Sequence, residues 1–510
     1  MNPCISPSRL AWLRVLAALI VGPAWGDEHP LQAVLDRNED VWLEPGSVHE
    51  IRATLRYRRP GQKIGTRGAS SPDQFATLRL APGALTCAVD GAGVARATLE
   101  RLILDGNRRA LLCPSGKVPA EPMTSWGKPG GDGQVIRECL IFDARCGGGW
   151  AAIHIHEGAQ GILVENNVIM GAGTDARGNG RAETERAFGW GDGISTASRE
   201  TQVRNNLIVD ATDDGIMVQG APGSLIEGNL IAAVSREMLG GIAVIDPYRF
   251  YAMAGTDNRF DYRGVVVRGN RIEARGSWIH IGIPLGGAGW NQRMQGTWLV
   301  GATVVENTLS GGAFGYGMVA NGIDGFTVKG NRSTATHSGR GDGPRDRPPD
   351  PAGPFLYNPA AVVNSILQPE FRPQVTHLVS LLRCWPPPAD PRGYRIAPYT
   401  DAEAAAVVRA ASAEMLGRET GAEELRRWIG WLREPGGTAD RLRVEFLRQR
   451  EGGEATAEPA LTRLQSWRIE RWRRAILTAW REAPTPAGGR WPATAELYAA
   501  VRRRLEEPMP

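Results

Sequence analysis

Between residues 164 and 331 the chain repeats one pattern six times: a short apolar strand that ends at Asn, followed by a second apolar strand. Val164-Glu165-Asn166-Asn167-Val168-Ile169 and Val203-Arg204-Asn205-Asn206-Leu207-Ile208 are two of the copies. The key asparagines, Asn167, Asn206, Asn229, Asn270, Asn307 and Asn331, lie 39, 23, 41, 37 and 24 residues apart. That spacing describes a unit of about 23 residues with three long insertions, the fifth copy being one residue looser in register. Upstream of each Asn lies a further strand, usually opening with Gly-Ile, as in Gly193-Ile194 and Gly215-Ile216. Each unit thus supplies three short strands with two-residue alternation, joined by Gly- and Asn-rich turns and by no helical pattern. Strands stacked at ~4.8 Å in this way build a mainly-β, single-stranded parallel β-helix. Asn suits the corner because it tolerates left-handed backbone and its amide can bond the next coil.

Alternation sorts the strand before the Asn strand into two faces. With Ile153, Ile194, Ile216, Ile242 and Ile279 inward, the outward column is His154, Ser195, Met217, Ala243 and His280. Two residues further on, His156, Ala197, Gln219, Ile245 and Asn321 also point out.

On these repeats the chain resembles the pectate-lyase-like superfamily of right-handed parallel β-helix proteins, which are carbohydrate-active. Pro60-Gly61-Gln62-Lys63-Ile64-Gly65 and Leu102-Ile103-Leu104-Asp105-Gly106-Asn107 resemble early segments of that superfamily. The resemblance spans roughly residues 45–335. It implies a right-handed β-helix, a polysaccharide as partner, and a sugar-binding groove on the strand before the Asn strand. It leaves the reaction open between lyase, hydrolase, epimerase and inert adhesin.

Three carboxylates enter this groove: Asp192 in Gly191-Asp192-Gly193, and Asp213-Asp214 before Gly215, one coil later. Stacking predicts Asp192 beside Asp214 at roughly 5–6 Å, close enough for each to raise the other's pKa and divide into an acid and a base. The same oxygens could hold Ca²⁺, and an Asp before a Gly-Ile strand also serves as a plain turn cap. The pattern is similar to that of polygalacturonase-type glycoside hydrolases, whose catalytic aspartates lie in "NTDG" and "DD" one coil apart. By that resemblance Asp192, Asp213 and Asp214 are catalytic. The chain departs from the family at Gly189-Trp190-Gly191 and at Leu239-Gly240-Gly241, where the family has "NT" and "GHG", and no "RIK" follows.

His154 and His156, on one face of a strand beside Glu157, are the next catalytic candidates, as a general base or metal ligands. A solvated pair on a half-polar strand is the alternative. The expected substrate-binding residues are His280, Gln219, Arg249, Tyr248, Tyr251 and Trp290, the last four on insertions whose aromatic faces can stack on sugars. Arg249 is also placed to neutralise a sugar carboxylate, as lyase chemistry requires.

Charge adds an exclusion. Lys and Arg total 59 against 55 Asp and Glu, so the surface offers no reason to invoke nucleic acid or an anionic membrane. Arg9 and Arg14, the apolar run Val15 to Val21 and Ala24-Trp25-Gly26 form a signal-peptide pattern over residues 1–26, with no later span long enough for a bilayer. A secreted, periplasmic or extracellular chain follows. It would keep Cys87, Cys113, Cys139, Cys146 and Cys384, and Cys87–Cys113 is a candidate disulfide if the two occupy adjacent coils.

The β-helix is expected over residues 27–385, with coils over about 80–335 and a closing segment at 355–385. A linker at 386–399 precedes a small all-α domain at 400–510, where Thr400-Asp401-Ala402-Glu403 is a capping box for a helix through Met415. Leu416-Gly417-Arg418, Trp428 and Phe446 resemble a small helical bacterial domain of unknown function, which implies surface attachment or assembly. Trp467, Trp472, Ile476 and Trp480 predict an amphipathic helix whose stripe lies in that domain's core.

Overall fold

A computed structural model of the protein describes residues 29–81, 87–107, 122–144, 151–173, 191–234, 238–246, 258–274, 279–291, 294–311, 314–337, 339, 352–374, 379–381 and 400–433, together with 442–443, 445–446, 449, 471, 474–482, 492 and 494–506. The proposed signal peptide, Cys113, Tyr248, Arg249, Tyr251, Trp467 and Trp472 lie outside the described residues.

The strands form three parallel sheets of eleven, ten and eleven strands. Each turn of the chain gives one strand to each sheet. Val135–Arg137, Leu163–Glu165 and Gln202–Arg204, for example, are successive neighbours in the first sheet. With every crossover parallel, the chain is a right-handed single-stranded β-helix, the hand that twisted strands impose. Insertions in the later coils add a fourth sheet of four strands, starting at Asn258–Asp261. The segment expected to close the last coil forms a coil itself, with Phe355–Tyr357, Ile366–Leu367 and Arg372–Pro373 pairing onto the stack.

The inward Ile residues stack through the interior as the alternation requires: Ile153 over Ile194 over Ile216 over Ile242, all fully buried. Glycine before them has a steric cause. A Cβ on Gly193 would lie 2.6 Å from Ile208 Cγ2, and one on Gly215 2.6 Å from Ile231 Cγ2. The third sheet is therefore drawn against the second closer than any side chain allows.

The Asn corner is a continuous ladder. Asn167, Asn206, Asn229, Asn270 and Asn307 each donate Nδ2–H to the next Oδ1 at 2.9–3.0 Å, ending on Asn331. Asn331 reaches Gln368 at 3.3 Å, so Gln continues the column one coil further. Two expectations change here. The left-handed residue is the one before the ladder: Asn166, Asn205, Gly228, Gly269, Glu306 and Gly330 have φ of 54–65°. The fifth copy is fully in register, because Val304, not Val305, pairs with inward Val267.

Helix Asp401–Leu416 begins at the predicted capping box and packs on helix Ala422–Arg433, with Trp428 and Phe446 in the shared core. The stripe at Ile476 and Trp480 goes elsewhere. With Leu497 and Val501 of helix Thr494–Glu506 it packs on the outer face of the second sheet, against Phe142, Met170 and Val209. The reason is in the sheet: strands such as Leu140-Ile141-Phe142 are apolar on both faces, so the outer face needs a cover. No helix among the described residues is long and apolar enough to cross a membrane.

Candidate functional site

Asp192 opens the strand Asp192–Thr196, and Asp214 opens the neighbouring strand Asp214–Val218 of the third sheet. The ladder fixes their approach: Asp214 N–H donates to Asp192 Oδ1 at 3.0 Å. Ser195, three residues along the strand, donates its hydroxyl to Asp192 Oδ2 at 2.5 Å. Asp213 brings a third carboxyl, and the three groups each place an oxygen within 4.8 Å of the others. Asp192 and Asp214 are buried while Asp213 is part-exposed, so Asp213 is the member that reaches the surface.

Burial and mutual repulsion make these poor anions. Burial pushes the Asp192 carboxyl up to about 7, held from going further by the Ser195 and Asp214 hydrogen bonds. Asp213 is raised well above the ordinary range by burial and by Asp192. Asp214 is raised likewise, by burial and then by Asp213 and Asp192. Both Asp214 oxygens and Asp213 Oδ1 have no hydrogen-bond partner among the described residues. Such a cluster holds protons at neutral pH and can release them singly. Its all-oxygen donor set also suits a hard cation such as Ca²⁺, with water completing the six to eight ligands Ca²⁺ takes.

Next along the sheet, His154 pairs with Ser195 and stands at 4.4 Å, edge to face, from His156. His156 Nε2 lies 3.2 Å from Ser125 Oγ. Burial, then the charges of His156 and Lys128, lowers His154 to about 3, and burial lowers His156 as well. Both rings are neutral at pH 7, and His154 is too weakly basic to act as an efficient proton acceptor.

Register places the remaining candidates. Gln219 lies in the second outward column as expected, buried, its Nε2 at 2.8 Å from Met217 Sδ. His280 leaves its expected column: the Met238–Ile279 pairing sets it beside Leu239, level with Asp213, and Pro284 takes the place beside Ala243. The cause is a longer strand, Ile279–Leu285, whose Gly-Ile copy is Gly282-Ile283, so the inward and outward positions fall four residues after Ile279 and His280. Trp290 ends the short helix Gly287–Trp290 and is 7% exposed, packed in an apolar cluster with Met294 and Ile281. Cys87 is buried, its thiol donating to the Val89 carbonyl at 2.9 Å.

Three residues with roles in the site carry no motif. Ser195 orients Asp192, Lys128 supplies positive charge beside the imidazoles, and Gly240 faces Asp214 and leaves its carboxylate room. Only Ser195 was accessible to sequence reasoning, as the outward residue three places after Asp192.

No family model matches the chain, and no curated protein matches it. Among solved structures it is similar to an endo-xylogalacturonan hydrolase from Aspergillus tubingensis at 10% identity, with a TM-score of 0.34 over 66% of this chain and 87% of that one. It is similar to the Streptococcus pneumoniae surface protein and adhesin PfbA at 10% identity, TM-score 0.35, over 68% and 94%. It is similar to the Agl-KA catalytic domain at 12% identity, TM-score 0.31, over 68% of this chain but only 64% of that one, less than two thirds of its length. At these identities and scores the likeness carries no chemistry. The chain is a right-handed parallel β-helix protein with a helical C-terminal region.

Proposed function

We propose that this protein is an exported glycan hydrolase that cleaves acidic polysaccharide with Asp192, Asp213 and Asp214. The observation that carries the reading is the division of labour within the cluster. Asp213, proton-loaded and part-exposed, is the group able to reach a glycosidic oxygen and protonate it. Asp192 receives two hydrogen bonds that oppose the effect of its burial, which makes it, of the three, the member suited to draw a proton from water. A water between oxygens less than 4.8 Å apart reaches both carboxyls in hydrogen-bond distance. Hydrolysis is preferred to lyase chemistry because the three carboxyls lie together and can divide into acid and base, whereas the His154 ring is buried away from a substrate. Lys128 and the mixed polar groove favour a uronate-bearing chain.

The test is a screen of acidic polysaccharides by release of reducing ends, with Asp213→Asn and Asp192→Asn alongside. Each variant should lose about 10²–10⁴-fold in turnover. Unchanged turnover would reject the assignment, and binding without turnover in the unaltered protein would favour a glycan-binding role. The unpartnered Asp214 oxygens also support a second reading, a Ca²⁺-loaded cluster. Calcium titration by calorimetry separates the two, since a hydrolytic cluster needs none. Surface attachment, if the helical region provides it, would use faces other than the Ile476–Trp480 stripe, which the β-helix already covers.

A further inference from the structure

The asparagine corner ends differently from how it runs. At each earlier coil the residue before the ladder turns its N–H to a carbonyl of the next coil: Asn166 to Arg204 O, Asn205 to Glu227 O, Gly228 to Arg268 O, Gly269 to Val305 O and Glu306 to Lys329 O, at 3.1–3.3 Å. Gly330, with φ of 65°, is next in the series, and its N–H makes no such bond among the described residues. The chain leaves the coil at this point. Gln368 takes the ladder position, but Pro369 follows it where a strand of the second sheet is due. Phe371 N–H then bonds Gln368 O at 3.2 Å, and Arg332–Ser333 remains the last strand of that sheet. An open cavity of about 340 Å³ lies at this step, within the size range of small-molecule sites.

The cavity gathers positive charge that nothing in the coil balances. Lys329, at the end of its first-sheet strand, and Arg332, at the start of the second-sheet strand, flank the Gly330 corner, and both are exposed. Earlier cations of the same two columns have partners: Arg137 pairs with Glu100, Arg204 with Glu165, Arg268 with Glu227, and Arg271 with Glu273. Lys329 instead stands between Val305 and the level of Gln368, and Arg332 stands beside Thr308. Neither has an ion pair among the described residues. Glu370 is the one carboxylate in the lining, and its Oε2 accepts from Gln368 Nε2 at 3.1 Å.

We infer that this cavity binds a sugar acid through its carboxylate, at a site separate from the acidic cluster. Two cations and a corner N–H border the opening, a donor set that matches a carboxylate. Glu370 adds an acceptor for sugar hydroxyls, which a bare inorganic anion lacks. The site follows from the end of the repeat. Each earlier corner closes its N–H on the coil above, and each earlier cation of these columns closes on a carboxylate, so only the last corner has both to spare. It lies between the first and second sheets, whereas Asp192 and Asp214 open strands of the third. The inference therefore does not rest on the hydrolase reading, although the two share a class of ligand.

Calorimetry on the full chain, with galacturonate as the probe, tests it. The unaltered protein should bind galacturonate at least tenfold more tightly than galactose, which lacks the charge. Lys329→Gln/Arg332→Gln should weaken galacturonate at least tenfold, about what one charge-assisted hydrogen bond supplies. Both side chains are exposed and unpaired, so the variant keeps the packing of the coil. Galacturonate bound at full affinity by that variant would place the sugar elsewhere and overturn the site, while leaving the hydrolase reading untouched. No binding by the unaltered protein would overturn it as well. Sulfate titrated in the same way should bind more weakly than galacturonate, and sulfate bound as tightly would overturn the assignment to a sugar acid.

Discussion

Asp214 and Gly240 face each other across adjacent strands of the third sheet, and the Asp214 Oδ1 occupies the space a Cβ on Gly240 would need. The acidic cluster thus depends on a residue with no chemistry of its own. Gly240→Ala must push the carboxylate aside in a fully packed site, at a cost of about 1–3 kcal/mol. Thermal unfolding should show that loss, and turnover should fall further than stability alone explains, because Asp214 leaves its station beside Asp192.

Carboxyls with raised pKa values make stability fall as pH rises. The folded state retains protons on Asp192, Asp213 and Asp214 that the unfolded chain has given up above pH ~4. Stability from this source is present below that range and is lost as pH climbs, through about 7 for Asp192, with Asp213 and Asp214 raised in the same direction. Asp214→Asn, isosteric and neutral, should therefore raise the melting temperature above pH 7 and leave it nearly unchanged near pH 4. An equal shift at both pH values would contradict the raised pKa.

His154 acts in the opposite direction. Its folded pKa is depressed to about 3, so the unfolded chain binds a proton there below pH ~6.5 that the folded chain refuses. The contribution is present above pH ~6.5 and is lost as pH falls toward 3. His154→Gln should flatten the acid limb of a denaturant-midpoint profile taken between those values.

The ladder is testable at its middle rung. Asn229 accepts from the N–H and Nδ2 of Asn206, both at 3.0 Å, and donates to Val203 O at 2.8 Å and Asn270 Oδ1 at 3.0 Å. Asn229→Ala strips partners from neighbours above and below in a buried corner. We expect a loss of about 2–4 kcal/mol by chemical denaturation. Asn229→Asp should not rescue it, since the carboxylate cannot donate.

The C-terminal helices shield Phe142, Met170 and Val209. Truncation after residue 399, or Ile476→Asp with Trp480→Asp, should expose that apolar strip. Dye binding and light scattering would report increased apolar exposure and self-association.

The coil, its interior and the asparagine ladder were legible because each repeats: a column of equivalent residues at a common spacing encodes one environment many times over. Asp192, Asp213 and Asp214 were legible for the same reason, one coil apart on a known strand. What the spacing could not convey is set by single contacts between coils. Gly240 looks like any glycine of a Gly-Gly pair until Asp214 is seen beside it. His280 follows a Trp-Ile-His-Ile stretch that imitates Ile153-His154-Ile155, and it masks the coil's true Gly-Ile copy, Gly282-Ile283, which carries Pro284 into the column. Trp480 reads as part of a helical core because nothing in its own segment records that the second sheet is apolar on both faces.

The central claim is that water, activated in the Asp192–Asp213–Asp214 cluster, splits a glycosidic bond. Cleavage of an acidic oligosaccharide in water labelled with heavy oxygen tests it most directly. The account predicts one labelled oxygen in each new reducing end, with incorporation abolished in Asp213→Asn. Products without label and with an unsaturated sugar at the new terminus, or labelled products undiminished in Asp213→Asn, would contradict it.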